Sequence, residues 1–71
     1  MIERYKDFYG CTAVIRPVHD GFRLVSRMPF GRIIRDQPFK THRGAVRAMQ
    51  NDSDGGMERI IPERVERIHE R

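Results

Sequence analysis

Asp20-Gly21 stands between two β-branched runs, and this constrains the chain more than any other feature. Before it, Cys11-Thr12-Ala13-Val14-Ile15-Arg16-Pro17-Val18 is too short for a helix and closes on a proline. After it, Phe22-Arg23-Leu24-Val25-Ser26-Arg27-Met28 takes up the alternation again. Asp-Gly between such runs is a strong hairpin signal, which predicts a two-residue turn at Asp20 and Gly21. That corner sets His19 opposite Phe22, Pro17 opposite Leu24, Ile15 opposite Ser26 and Ala13 opposite Met28. Side chains alternate with period two, so Ala13, Ile15, Phe22, Leu24 and Met28 share a core face. Val14, Arg16, Val18, Arg23, Val25 and Arg27 share the other. Pro17 cannot donate to a ladder, so the first run is expected to be an edge at that point.

Pro29-Phe30-Gly31 supplies a second turn, and Arg32-Ile33-Ile34-Arg35 a short third strand with Ile33 or Ile34 pointing inward. Thr41 is a good N-cap, and Ala45, Ala48 and Met49 recur at helical spacing with Val46 beside them. A helix of about ten residues is expected on the core face, with Phe39 anchoring its entry. Residues 51–56 read as a flexible loop. A second helix is expected from Pro62, with Ile61, Val65 and Ile68 as its stripe. Residues 57–61 either lengthen that helix or form a short fourth strand. Residues 1–9 read as one or two helical turns, a strand lead-in or a frayed end. The expected fold class is therefore α+β: a three-stranded antiparallel meander with a helix packed on one face, then a C-terminal helix.

A chain of 71 residues fits a single small domain. A domain of this size buries only about 60% of its unfolded surface, which leaves little volume for a deep substrate cleft. No run approaches the roughly 20 apolar residues of a membrane span, and Met1–Asp7 lacks the apolar core of a signal peptide. The lone Cys11 excludes an internal disulfide and a cysteine-based zinc site. A soluble, cytoplasmic protein without a membrane partner is expected.

Charge is unevenly placed. Residues 1–51 hold ten Lys and Arg against four Asp and Glu, whereas residues 52–71 hold four against six. A basic surface of this kind points to an anionic partner, nucleic acid above all, and Arg-rich codon usage is the plain alternative. The candidate contact residues are Arg16, Arg23 and Arg27 on the outer sheet face, joined by Arg35 or Arg32. Arginines borne on strands can enter a DNA groove and meet phosphates or guanine edges. The same face, with Val14, Val18 and Val25, also suits cover by the C-terminal helix, a protein partner or a second copy of the chain.

Other chemistry finds less support. Residues 52–58 alternate Asp and Gly but lack the spacing and distal Glu of a calcium loop. His19, His42 and His69 are too dispersed in sequence to form an obvious metal set. His19 beside Asp20 is half of a catalytic pair without a nucleophile, and Cys11 in a strand reads as a small buried hydrophobe. No phosphate-binding glycine loop occurs. No enzymatic activity, cofactor, metal or small-molecule substrate is expected.

The run Gly21–Arg27, then Gly31-Arg32-Ile33-Ile34, then Phe39-Lys40-Thr41 with Ala45 and Ala48, resembles a known module. It is similar to the three-strand-plus-helix DNA-binding domains of plant ethylene-response factors and of phage integrase arm-binding domains. The resemblance covers roughly residues 12–51. It implies a sheet that reads DNA with its outer face and assigns that contact to Arg16, Arg23 and Arg27. The remaining alternative is a protein-interaction or accessory domain, with a homodimer as one form of it, that uses the outer valines or the tail helix.

Overall fold

The computed structural model describes residues 2–53 and 56–60. Five strands and one helix follow in the order β1 (Glu3–Lys6), β2 (Thr12–Val18), β3 (Gly21–Arg27), β4 (Ile33–Phe39), α1 (His42–Asn51) and β5 (Glu58–Arg59). The strands form one sheet in the order β4-β3-β2-β1-β5, and every pairing is antiparallel. The molecule is thus a small α+β domain. The expected meander is β2, β3 and β4, and it makes up one side of a wider sheet. The helix expected from Pro62 lies outside the described residues.

The N-terminal segment, read as helical turns, a strand lead-in or a frayed end, contributes the strand Glu3–Lys6: Glu3 pairs with Ile15, Arg4 with Val14, Tyr5 with Ala13 and Lys6 with Thr12. Burying Tyr5 against Ala13 gives this polar segment its anchor. The β1 ladder reaches Ile15 among the described residues, so β2 is flanked on both sides there and becomes an edge at Pro17, where a ladder donor is missing. Of the segment expected as a helix extension or a short strand, Glu58–Arg59 form β5, which pairs with Tyr5 and Lys6. Gln50 fixes its approach, since the Gln50 amide donates to the Met57 carbonyl (3.2 Å) and accepts from the Met57 N–H (2.8 Å). One side chain thereby does the work of a strand partner.

The β2–β3 corner is displaced from expectation. Val18 pairs with Gly21, Pro17 with Phe22, Ile15 with Leu24 and Ala13 with Ser26, so His19 and Asp20 form the turn and Gly21 opens β3. The cause is tertiary. Gly21 has φ +151°, and a Cβ there would come within 2.2 Å of the Phe39 carbonyl oxygen. The chain entering α1 passes over this glycine, which must therefore sit in the ladder rather than in the corner. The shift moves each partner by two residues, so the two faces keep their expected members.

Two further expectations fail on β4. It runs as far as Phe39, well past Arg35, and neither Ile33 nor Ile34 is buried. Ser26 pairs with Arg35 and Arg27 with Ile33, leaving Ile34 unopposed in a bulge. The bulge turns Ile33 to the outer face and sets Arg35 on the helix side. Met28, expected in the core, lies beyond the end of β3 and is exposed.

Helix α1 begins at its expected cap, where the Gly44 N–H donates to Thr41 Oγ1 at 3.0 Å. It packs on β2, β3 and β4. The core consists of Tyr5, Ala13, Ile15, Leu24, Ala45, Met49 and Met57, flanked by Cys11, Phe22, Phe39, Val46 and Ala48. Burial of Ile15, Leu24 and Met49 contributes roughly 1.5–3 kcal/mol each. Ser26 is fully buried among them, and its hydroxyl has no hydrogen-bond partner among the described residues. An unpaired buried hydroxyl costs about 1–3 kcal/mol. Ser26→Ala is therefore expected to stabilise the domain by about 1 kcal/mol and to raise the thermal midpoint by about 5 °C, measurable by circular dichroism.

Candidate nucleic-acid interface

The face of the sheet opposite α1 is covered by no element among the described residues. Pairing registers its side chains in cross-strand rows. One row runs Ile33, Arg27, Thr12, Lys6 and Glu58 from β4 to β5; the next runs Asp36, Val25, Val14 and Arg4; a third holds Pro38, Arg23 and Arg16. Five cations thus share this face: Arg4, Lys6, Arg16, Arg23 and Arg27. Two acids accompany them. Asp36 accepts from Arg23 Nε at 2.7 Å, and Glu58 stands at the β5 edge. Arg16 lies directly opposite Arg23, an arrangement of like charges that costs stability unless an anion lies between or beside them. Half-buried Val14 and Val25 floor a shallow groove bordered by Arg16, Arg23, Arg27, Ile33 and Asp36.

Of the four residues expected to contact nucleic acid, Arg16, Arg23 and Arg27 are brought together on this face. Arg35 is not. Its guanidinium makes a two-pronged ion pair with Asp52 at the C-terminal end of α1 (Nε to Oδ2 2.7 Å, Nη2 to Oδ1 2.9 Å) and also donates to Gln37. Its hydrogen bonds to the Asp52 carboxylate hold the Arg35 guanidinium above its usual range. An acid at a helix C-terminus opposes the helix dipole, and Arg35 offsets it while tying β4 to α1. Arg35→Ala is expected to cost about 2 kcal/mol, read as a lower urea midpoint, because it strands a half-buried carboxylate.

Arg4 and Lys6 join the face without having been singled out. The signal was present in Ile2-Glu3-Arg4-Tyr5-Lys6, where alternate residues are Glu3 and Tyr5 on one side and Arg4 and Lys6 on the other. Three aromatic side chains were also overlooked. Phe8 and Tyr9 form the tip of the β1–β2 turn, 92% and 66% exposed, and Phe30 the tip of the β3–β4 turn, 93% exposed. Both tips lie at the same end of the sheet.

The remaining polar clusters are structural in geometry. Glu3 Oε1 accepts from the Tyr5 hydroxyl and meets His42 Nε2, both at 2.8 Å, with Arg59 at 3.8 Å from the other oxygen. His42, then Tyr5, hold the Glu3 carboxyl below its usual range, while burial and then Glu3 push the Tyr5 phenol up to about 12. The cluster joins β1, β5 and the start of α1. Burial, then the neighbouring Asp7 carboxylate, pushes the Cys11 thiol up, away from the thiolate a nucleophile requires. His19 and Asp20 lie 3.6 Å apart in an open turn. Among the described residues no three His, Cys, Asp or Glu side chains converge as a metal site would need, and no helix is long and apolar enough to cross a membrane.

Comparison with known proteins gives no neighbour: the chain matches no protein-family model, no curated protein and no solved structure.

Proposed function

We propose that this domain binds nucleic acid by laying the outer face of its sheet along the phosphate backbone. The observation that carries the reading is the gathering of Arg4, Lys6, Arg16, Arg23 and Arg27 on one uncovered face, where among the described residues Asp36 alone makes an ion pair with them and Glu58 stands opposite Lys6 at the edge. The resemblance of residues 12–51 to three-strand-plus-helix DNA-binding modules supports it, since those modules also use the face away from the helix. The outer face carries no aromatic side chain among the described residues, so phosphate contact rather than base reading dominates there.

Arg23 is committed to Asp36, which leaves Arg4, Lys6, Arg16 and Arg27 to neutralise phosphates. Four such contacts give a slope near −4 in log affinity against log salt for a duplex. Raising salt from about 50 to 200 mM is then expected to weaken duplex binding roughly hundredfold. Fluorescence titration of a labelled duplex at those two salts tests this, and absence of binding at the lower salt overturns it.

A second reading draws on the strip formed by Val14, Val25 and Ile33 between the arginine rows. There the face docks against a protein surface or a second copy of the chain. It requires a concentration-dependent mass that responds little to salt and is lost in Val25→Asp.

A further inference from the structure

Hydrogen bonds close the turns behind both aromatic tips. In the β1–β2 turn the Asp7 carboxylate accepts from the Tyr9 and Cys11 N–H groups at 2.8 and 2.9 Å, and its other oxygen lies 3.2 Å from the Ser53 hydroxyl. Phe8 and Tyr9 stack edge to face, with ring centroids 5.3 Å apart. In the β3–β4 turn the Gly31 N–H donates to the Met28 carbonyl and the Met28 N–H to the Arg32 carbonyl, each at 2.8 Å. The turns are neighbours, since a Cβ on Gly10 would lie 3.3 Å from the Pro29 ring.

Cations of the outer face reach both tips. Lys6 lines a hollow with Phe8 and Tyr9, which the carboxylates Asp7 and Glu58 also line, and Arg27 Nη1 donates to the Gly31 carbonyl at 3.2 Å. Ordered turns that present bare aromatic rings beside cations mark a binding surface, because exposed apolar surface is otherwise a liability. The track of cations leads from the tips along the strands through Arg4 and Arg16, which favours a polyanionic strand over a lipid surface that would need the tips alone.

Resting on the reading of the outer face as a phosphate-binding surface, we infer that Phe8, Tyr9 and Phe30 form a stacking platform for unpaired bases, so that the preferred ligand is single-stranded nucleic acid. A duplex hides its base faces and offers the tips nothing to stack on. A single strand exposes both parts: its phosphates meet Lys6 and Arg27, and its bases meet the rings. Stacking of this kind tolerates any base, so little sequence preference is expected.

The test uses the full chain and three probes of about 12 nucleotides, within the span such modules cover: a deoxythymidine oligomer, an abasic strand of equal length and a duplex. The oligomer is expected to bind at least roughly tenfold more tightly than either of the others at the same salt. Phe30→Ala and Phe8→Ala are each expected to reduce oligomer affinity by roughly fivefold or more, with duplex affinity and thermal midpoint unchanged. Phe30→Leu keeps the apolar surface without the ring and is expected to behave as Phe30→Ala. Equal affinity for all three probes, or an effect of Phe30→Ala that Phe30→Leu does not share, overturns the platform and leaves the basic face standing. No binding of any probe at low salt removes both readings. Capture by phosphatidylserine vesicles that needs Phe8 and Phe30, without oligomer binding, overturns the platform in favour of a membrane surface.

Discussion

Gly21→Ala is expected to destabilise the domain by on the order of 3 kcal/mol, the largest effect of any single substitution considered for its stability. Two costs combine. At φ +151° an L side chain is strained, and the new methyl would lie 2.2 Å from the Phe39 carbonyl oxygen and 3.1 Å from the Lys40 Cα. Backbone, not a movable side chain, must give way. That backbone leads from β4 into α1, so relief at Gly21 shifts the helix that buries Ala45 and Met49. The thermal midpoint should fall by roughly 10–20 °C. Gly31→Ala is the control: its φ is +95° but nothing lies within 4 Å of a Cβ there, so only the conformational cost of about 1–2 kcal/mol applies. Equal midpoints for the two variants would contradict the passage of Phe39 over Gly21.

Removing Lys6, Arg16 and Arg27 together is expected to weaken nucleic-acid binding at low salt by a factor of roughly a hundred or more, while leaving the fold intact. None of the three forms an ion pair among the described residues, and each is on the outer face, away from the core. Separating Arg16 from its like-charged neighbour Arg23 relieves repulsion, so the thermal midpoint should hold or rise slightly. Arg35→Ala gives the converse pattern, with lower stability and unaltered binding, because Arg35 is spent on Asp52 on the helix side. The two variants separate a residue that holds the fold from residues that meet the ligand.

The faces of the β2–β3 hairpin were legible in the sequence because alternation alone assigns them. Its register was not. Pairing Ile15 with Leu24 or with Ser26 leaves the same residues inside, so apolar pattern cannot choose between them. The choice falls to the contact of Gly21 with Phe39, eighteen positions along the chain. Arg35 was misplaced for a similar reason: the bulge at Ile34 breaks the period-two count, and its partner Asp52 lies seventeen residues on. Helix α1 was readable because its cap and its apolar spacing are both local. The contribution of β1 to the candidate site was hidden because only Tyr5 in that strand is buried, which leaves a weak hydrophobic signal. The aromatic tips escaped notice because turn residues are ordinarily read for the bend they make rather than for what they display.

The most direct test of the cationic face compares salt slopes for duplex binding in the natural chain and in the variant carrying Lys6→Ala, Arg16→Ala and Arg27→Ala. Losing three of four phosphate contacts should flatten the slope from near −4 to near −1, with unfolding midpoints unchanged. Identical slopes in the two proteins would place the contacts elsewhere on the molecule and contradict the account.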